Sequence, residues 1–143
     1  MSITDPQALA EAASDAMWAG DKASKGMGMQ REHVGPGEAR LSMIVTEAMA
    51  NGHGMCHGGY IFSLADSAFA FACNSYNQNT LAQHCAISFL VPAAIGDRLT
   101  ATASERHREE RSGIYDVAVS RADGTLIAEF RGHSRTIKGT HIG

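Results

Sequence analysis

The stretch 51–73, NGHGMCHGGYIFSLADSAFAFAC, constrains the fold more than any other part of the chain. Its first nine residues hold one asparagine, four glycines, two histidines and a cysteine. That composition disfavours both helix and strand, because glycine loses the most backbone freedom on ordering. The run that follows, 60–76, has no proline or glycine and a single charge, Asp66, and is long enough for a buried helix. A helix therefore begins beside Gly58 and Gly59. Unpartnered backbone N–H groups and the positive end of the peptide dipoles gather at such a start, and glycine leaves them open to a ligand. A phosphate, a carboxylate or the oxygen of a polarised carbonyl all fit that description.

The chain of 143 residues is long enough for one domain with its own core. We read 1–25 as an N-terminal helix and linker and 26–143 as a single domain. The 12 basic and 15 acidic side chains are spread along the chain for a net charge of -3, which favours neither nucleic acid nor an anionic membrane surface as partner. No uncharged apolar run reaches the ~18 residues of a membrane span, and the N-terminus lacks the basic start and apolar block of a secretory leader. A soluble cytoplasmic protein is expected, and three cysteines without framework spacing suit reduced thiols.

Leu9, Ala12, Ala13, Ala16 and Met17 recur at helical spacing and predict a short helix over 6–19, capped by Thr4 or Asp5 and ended by Gly20. Residues 21–30 read as a loop. Alternation predicts strands over 38–46, 82–91, 98–107, 114–121 and 125–137, with Pro92 closing the second and Asp123-Gly124 marking a hairpin. Four strands joined by short connections after the long helix imply an antiparallel sheet. One long apolar central helix beside such a sheet gives an α+β fold in which the sheet wraps the helix, the hot-dog arrangement in outline.

Asp66 is the most informative single residue. Aspartate is a poor choice for a helix interior, and Phe62, Ser63, Phe69, Ala70 and Cys73 share its face. Its carboxylate is either bonded locally to Ser63 or Ser67 at a solvent gap or held at a functional cavity. It lies about 12 Å along the helix axis from Gly58, too far to act on a group held at Gly58 of the same chain. A second copy, antiparallel across a two-fold axis, brings its Asp66 to this chain's Gly58. If the two features cooperate, the site spans a dimer interface.

The neighbouring residues leave alternatives open. Asn51 either donates its amide to a substrate oxygen or closes an Asn-Gly turn, and His57 either caps the helix or braces the loop. His53, Cys56 and His57 have the spacing of metal ligands, but a structural zinc site needs a fourth ligand and none is near, so no metal is expected. Cys56 as a nucleophile beside His57 is disfavoured, because adjacent turn residues rarely face each other. His84, His107 and His133 fall on separate strands with no convergent spacing. The charged run over 105–113, ERHREERSG, is either a solvated hairpin turn or a phosphate contact through Arg111, Ser112 and Gly113.

NGHGMCHGGYIFSLADSAFAFACNS, AISFLVPAAIGDRLTATA and GIYDVAVSRADGTLIAEFRGHS together resemble the hot-dog acyl-CoA thioesterases of the phenylacetic acid degradation type, over roughly 35–139. The resemblance implies that the Gly58 N–H polarises the thioester carbonyl and that Asp66 of a second copy is the general base or nucleophile. It assigns Asn51 to placing the attacking water or substrate and His57 to fixing the loop at the thioester. Gly59, Phe62, Ser67, Arg111, Ser112 and Gly113 become candidate substrate contacts, with Tyr60 and Phe69 beside Phe62 for the acyl pocket. The implied reaction hydrolyses an acyl-CoA, of the aryl-acetyl or hydroxylated phenylacetyl type, to the acid and free CoA without a cofactor. The implied assembly is a homo-oligomer, with a dimer as the minimal active unit and a tetramer as the full form. Relatives often carry Ser or Thr near Ala82, where this chain has no hydroxyl. Two other readings stand beside it: a hot-dog dehydratase or hydratase that pairs His57 with Asp66 on an acyl thioester, and a non-catalytic acyl-CoA-binding protein.

Overall fold

A computed structural model describes residues 3–143. Helix α1 (Pro6–Gly20) starts where Asp5 accepts the Ala8 N–H, with Pro6 in the first turn, where a missing N–H costs nothing. Residues 21–30, expected as a loop, instead contain a short helix α2 (Lys22–Gly26), because Asp21 caps it through both the backbone N–H and the hydroxyl of Ser24. Strand β1 (Gln30–Gly35) follows, which the alternation did not reveal because only Gly35 of its six residues is buried, too little to carry an apolar pattern. Then come β2 (Glu38–Ile44), the long helix α3 (Gly58–Cys73), β3 (Thr80–Phe89), β4 (Arg98–Glu109), β5 (Ser112–Arg121) and β6 (Leu126–Thr136).

All six strands form one antiparallel sheet in the order β1-β2-β4-β5-β6-β3. The expectation that the four strands after α3 pair in succession fails at β3. It lies at the sheet edge beside β6, and residues 90–97 carry the chain across to the start of β4. The inner rows Ala39-Leu41-Met43, Leu99-Ala101-Ala103 and Tyr115-Val117-Val119 pack on Leu64, Ala65, Ala68 and Phe71 of α3. Alanines alternate with larger side chains there, so the sheet can curl close around the helix; each fully buried Leu, Val or Phe contributes about 1.5–3 kcal/mol. The fold is the hot-dog α+β arrangement. Among the described residues no helix is long and apolar enough to cross a membrane.

Helix α3 runs alongside β3 in the opposite direction. The Phe89 ring lies 3.0 Å from where a Cβ on Gly58 would be, and Phe130, the cross-strand partner of Ile87, packs edge-on to Phe62 at 5.4 Å. A Cβ on Gly132, the partner of Cys85, would lie 2.7 Å from the Phe69 ring. At the far end Asn74 accepts the Thr80 N–H at 2.9 Å and donates to the Thr80 carbonyl at 3.0 Å, which ends the helix. One face of α3 is only partly covered by the described residues. Along it Gly59 is exposed and Phe62, Ser63, Asp66 and Ala70 are half-buried, while Leu64, Ala65, Ala68 and Ala72 are buried.

Candidate active site

The loop before α3 is closed by Asn51. Its backbone N–H donates to the Met55 carbonyl at 2.7 Å and its carbonyl accepts the Gly54 N–H at 3.0 Å. Its side-chain Oδ1 accepts the N–H groups of His53 at 2.9 Å and Met55 at 3.1 Å. Two donors on one atom fix that atom as the oxygen, so Nδ2 is the outward end of the amide and bonds to nothing among the described residues. Turn chemistry and an available donor thus coexist in Asn51. Gly54 sits at φ 77, a left-handed conformation that a side chain would strain.

His57 is the N-cap of α3, with φ -61 and ψ 134, and its Nδ1 accepts the Gly59 N–H at 2.9 Å. In the neutral ring Nε2 then carries the proton. Tyr60 donates to the His57 carbonyl at 3.0 Å, and the His57 N–H is spent on the Met49 carbonyl at 2.8 Å. With those donors claimed, the N–H of Gly58 is left without a partner among the described residues. It opens on a cleft of about 550 Å³ that Asn51 and Gly58 line together with Phe89, Leu90, Val91 and Pro92. The crossing segment is held there by Cys56, whose N–H donates to the Ala93 carbonyl at 2.8 Å. Sequence reasoning missed this apolar wall. Pro92 marked the end of a strand, but only the pairing of β3 with β6 places the following residues over the loop.

Asp66 is half-buried and makes no hydrogen bond or ion pair among the described residues, and burial pushes its carboxyl above the usual carboxylate range. The local bonds considered for it are absent for a physical reason. Ser63 donates instead to the Gly59 carbonyl at 2.8 Å, and Ser67 meets Ser24 of α2 at 3.2 Å. Ser67 is therefore engaged with the N-terminal segment, away from the Gly58 cleft. Phe62 stands one turn before Asp66 on the same partly covered face, while Phe69 is buried between Tyr115 and Phe130.

Cys56 is buried and its thiol is pushed up by burial, the opposite of an activated thiolate. Among the described residues no three histidine, cysteine or acidic side chains gather as metal ligands. His84 and His133, read as unrelated, face each other across β3 and β6 with ring centres 5.5 Å apart. Arg111 and Ser112 lie at the β4–β5 turn and share a cavity of about 590 Å³ with Arg135, Glu109 and Glu110. Gly113 follows them where a Cβ would lie 2.9 Å from both Ser134 Oγ and the Tyr115 ring. Arg108 stacks 3.7 Å from the Tyr76 ring centre, so this turn sits at the C-terminal end of α3, opposite the Gly58 end.

A single helix thus carries an electropositive N-terminus facing an apolar cleft and, two turns on, a carboxylate with no partner among the described residues. Residues 53–128 match the family model described as the thioesterase superfamily. The acyl-coenzyme A thioesterase PaaI of Escherichia coli (strain K12) is 44% identical over 128 residues, 90% of this chain and 91% of that protein. A putative esterase of Archaeoglobus fulgidus is 33% identical over 124 residues, 87% of this chain and 80% of that protein. The solved structure of the E. coli PaaI protein from the phenylacetic acid degradation operon superposes with a TM-score of 0.94 at 42% identity, covering 95% of this chain and 99% of that one.

Proposed function

The chain belongs to the thioesterase superfamily, and from that premise we propose that it hydrolyses an acyl-CoA, of the aryl-acetyl or hydroxylated phenylacetyl type, to the carboxylic acid and free CoA. The observation that carries the reading is the unclaimed Gly58 N–H at the start of α3, open to an apolar cleft, with an unpartnered Asp66 on the partly covered face of the same helix. The thioester oxygen takes the Gly58 N–H, where the dipole of α3 adds to its pull on developing negative charge. Asn51 Nδ2, on the rim of the same cleft, donates to the attacking water or the substrate.

Two copies of α3, antiparallel with these faces together, bring Asp66 of the second copy to this Gly58. That carboxylate takes a proton from water as the oxygen attacks the carbonyl carbon, or attacks the carbon itself to give an anhydride that water then opens. Either way the C–S bond breaks, the CoA thiolate leaves with its electron pair, and the proton ends on the thiol. The same pairing lays the C-terminal end of one α3 over the Gly58 end of the other. Arg111, Ser112 and Gly113 of the second copy then stand where the CoA phosphates emerge, with Arg135 beside them. The 44% identity to an acyl-coenzyme A thioesterase favours the hydrolase over a dehydratase.

The test is thiol release from a panel of phenylacetyl, hydroxyphenylacetyl and straight-chain CoA thioesters. Turnover fastest on the aryl-acetyl members is expected, with Asp66→Ala slower by about 10³-fold or more and its oligomeric state unchanged. Activity retained in Asp66→Ala overturns the role of the carboxylate. Tight binding of CoA esters without any thiol release overturns the hydrolase reading in favour of a binding protein.

A further inference from the structure

We infer that Cys85 is a positioning residue for Asp66: its thiol faces the carboxylate from β3 and is a donor of the same chain free to hold it during hydrolysis. This rests on the reading of Asp66 as the base or nucleophile. The direction of Cys85 follows from register. Cys85 is paired with Gly132, and residues directly opposite in an antiparallel pair project to the same side of the sheet. A Cβ on Gly132 would meet the Phe69 ring at 2.7 Å, so that side is the one toward α3.

Its level along the helix follows from the two ends of β3. Phe89 lies against Gly58 and Thr80 is bonded to Asn74, so the strand and the helix run side by side between those points. At ~1.5 Å per residue in the helix and ~3.3 Å in the strand, the midpoint of one faces the midpoint of the other. Asp66 is halfway along that span of α3, and the corresponding position in β3 is Cys85. The charge of Asp66 accordingly reaches the Cys85 thiol, adding to burial in pushing it up. Cys85 is therefore a neutral S–H near neutral pH, a donor and not a thiolate.

Within the same chain, the other hydroxyls and thiols considered for the carboxylate are bonded elsewhere. Ser63 is bonded to the Gly59 carbonyl, Ser67 to Ser24, Cys73 to the Ala70 carbonyl at 3.6 Å, and the Tyr115 hydroxyl to Glu105 at 3.1 Å. Cys85 Sγ makes no hydrogen bond among the described residues, and neither does Asp66. The titratable groups facing Asp66 are then Cys73 from α3, Cys85 from β3 and, in the proposed pair, His53 and His57 on the loop of the second copy. A weak S–H donor has a definite use beside a general base. It orients the carboxylate without lowering its proton affinity as far as a hydroxyl would.

The experiment is the pH dependence of kcat/KM for thiol release by the whole protein, with Cys85→Ser and Cys85→Ala beside the parent. Cys85→Ser, a stronger donor of nearly the same shape, should move the acid limb down by roughly 0.5 pH unit, and Cys85→Ala should move it up by a similar amount. Thermal midpoint and oligomeric state should stay unchanged in both. Limbs within about 0.1 pH unit of the parent in both variants, or displaced in the same direction, overturn the inference. Should Cys85→Ala fold poorly, the near-isosteric Cys85→Ser decides alone: a limb that does not move down overturns it. Asp66→Ala run alongside separates the two levels of failure. If it is inactive while the Cys85 limbs stay put, only the role of Cys85 falls, and if it is active, the reading of Asp66 falls with it.

Discussion

A carboxylate drawn half out of water without a partner destabilises the state that holds it, and α3 carries that cost at Asp66. The direction of the pKa shift sets the pH dependence. Burial raises the folded-state pKa above the unfolded one, so the folded form binds its proton more tightly. The penalty is absent below the ordinary carboxylate range, where Asp66 is protonated in both states, and it is complete once pH has risen through the raised value. Asp66→Asn, which keeps the shape and removes the charge, should therefore melt a few degrees higher than the parent near pH 7 while losing activity. The gain should shrink on acidification to about pH 4, followed by thermal melts across the pH range. A midpoint unchanged at pH 7 would show that the carboxylate has found a partner, from water or from a second copy. This residue was legible in the sequence because a lone charge in an apolar run has few innocent explanations. The division of labour within Asn51 was not legible, since which end of the amide serves the loop depends on where the N–H groups of His53 and Met55 come to rest.

At the scale of elements, α3 was readable from its glycine entry and uniform apolar content, and the strands with one buried face were readable from alternation. Strand β1 and helix α2 were not, because β1 buries only its last residue and α2 is made by a cap and not by periodicity. The partner of β3 was equally hidden, since pairing between β3 and β6 is a choice of sheet edge that the strand's own residues do not encode. What the helix offers is a clean test of its first donor. His57 at φ -61 and ψ 134 already has the extended backbone that a following proline requires, and proline is at home in the first turn of a helix. Gly58→Pro thus deletes the N–H and nothing else of the backbone, apart from making the half-exposed Phe89 ring give way. It should cost about 10²–10³-fold in kcat while leaving the fold intact. Mixed with Asp66→Ala chains and allowed to exchange, it gives hybrid pairs with one site built from two intact halves. Those hybrids should recover up to about half of the parent activity, and two inactive parents that stay inactive after exchange would place both groups in one chain.

For the whole molecule, the open question is how a free sheet edge and a partly covered helix face come to be covered together. Leu81 and Phe89 on edge strand β3 are 56% and 53% exposed, a combination of free edge and apolar side chains that a lone chain in water does not keep without consequence. If Asp66 of one copy meets Gly58 of the other, the two-fold axis passes midway between those levels, at Phe62, and Phe62 stands level with Ile87 of β3. The same axis that completes the site would then lay the two β3 edges side by side in antiparallel fashion, extending the six strands into a continuous sheet of both copies. Ser88, exposed and next to Ile87, is the place to break it. In Ser88→Lys the new ammonium lies opposite Glu129 on β6 within its own chain, which steadies the monomer, while two lysines confront each other near the axis. Size-exclusion chromatography with light scattering should find a folded monomer with a far-ultraviolet spectrum like that of the parent, and its thiol release should fall by about 10²-fold or more, since neither half-site has its complement. A folded Ser88→Lys monomer that keeps full activity would show instead that one chain alone assembles the site.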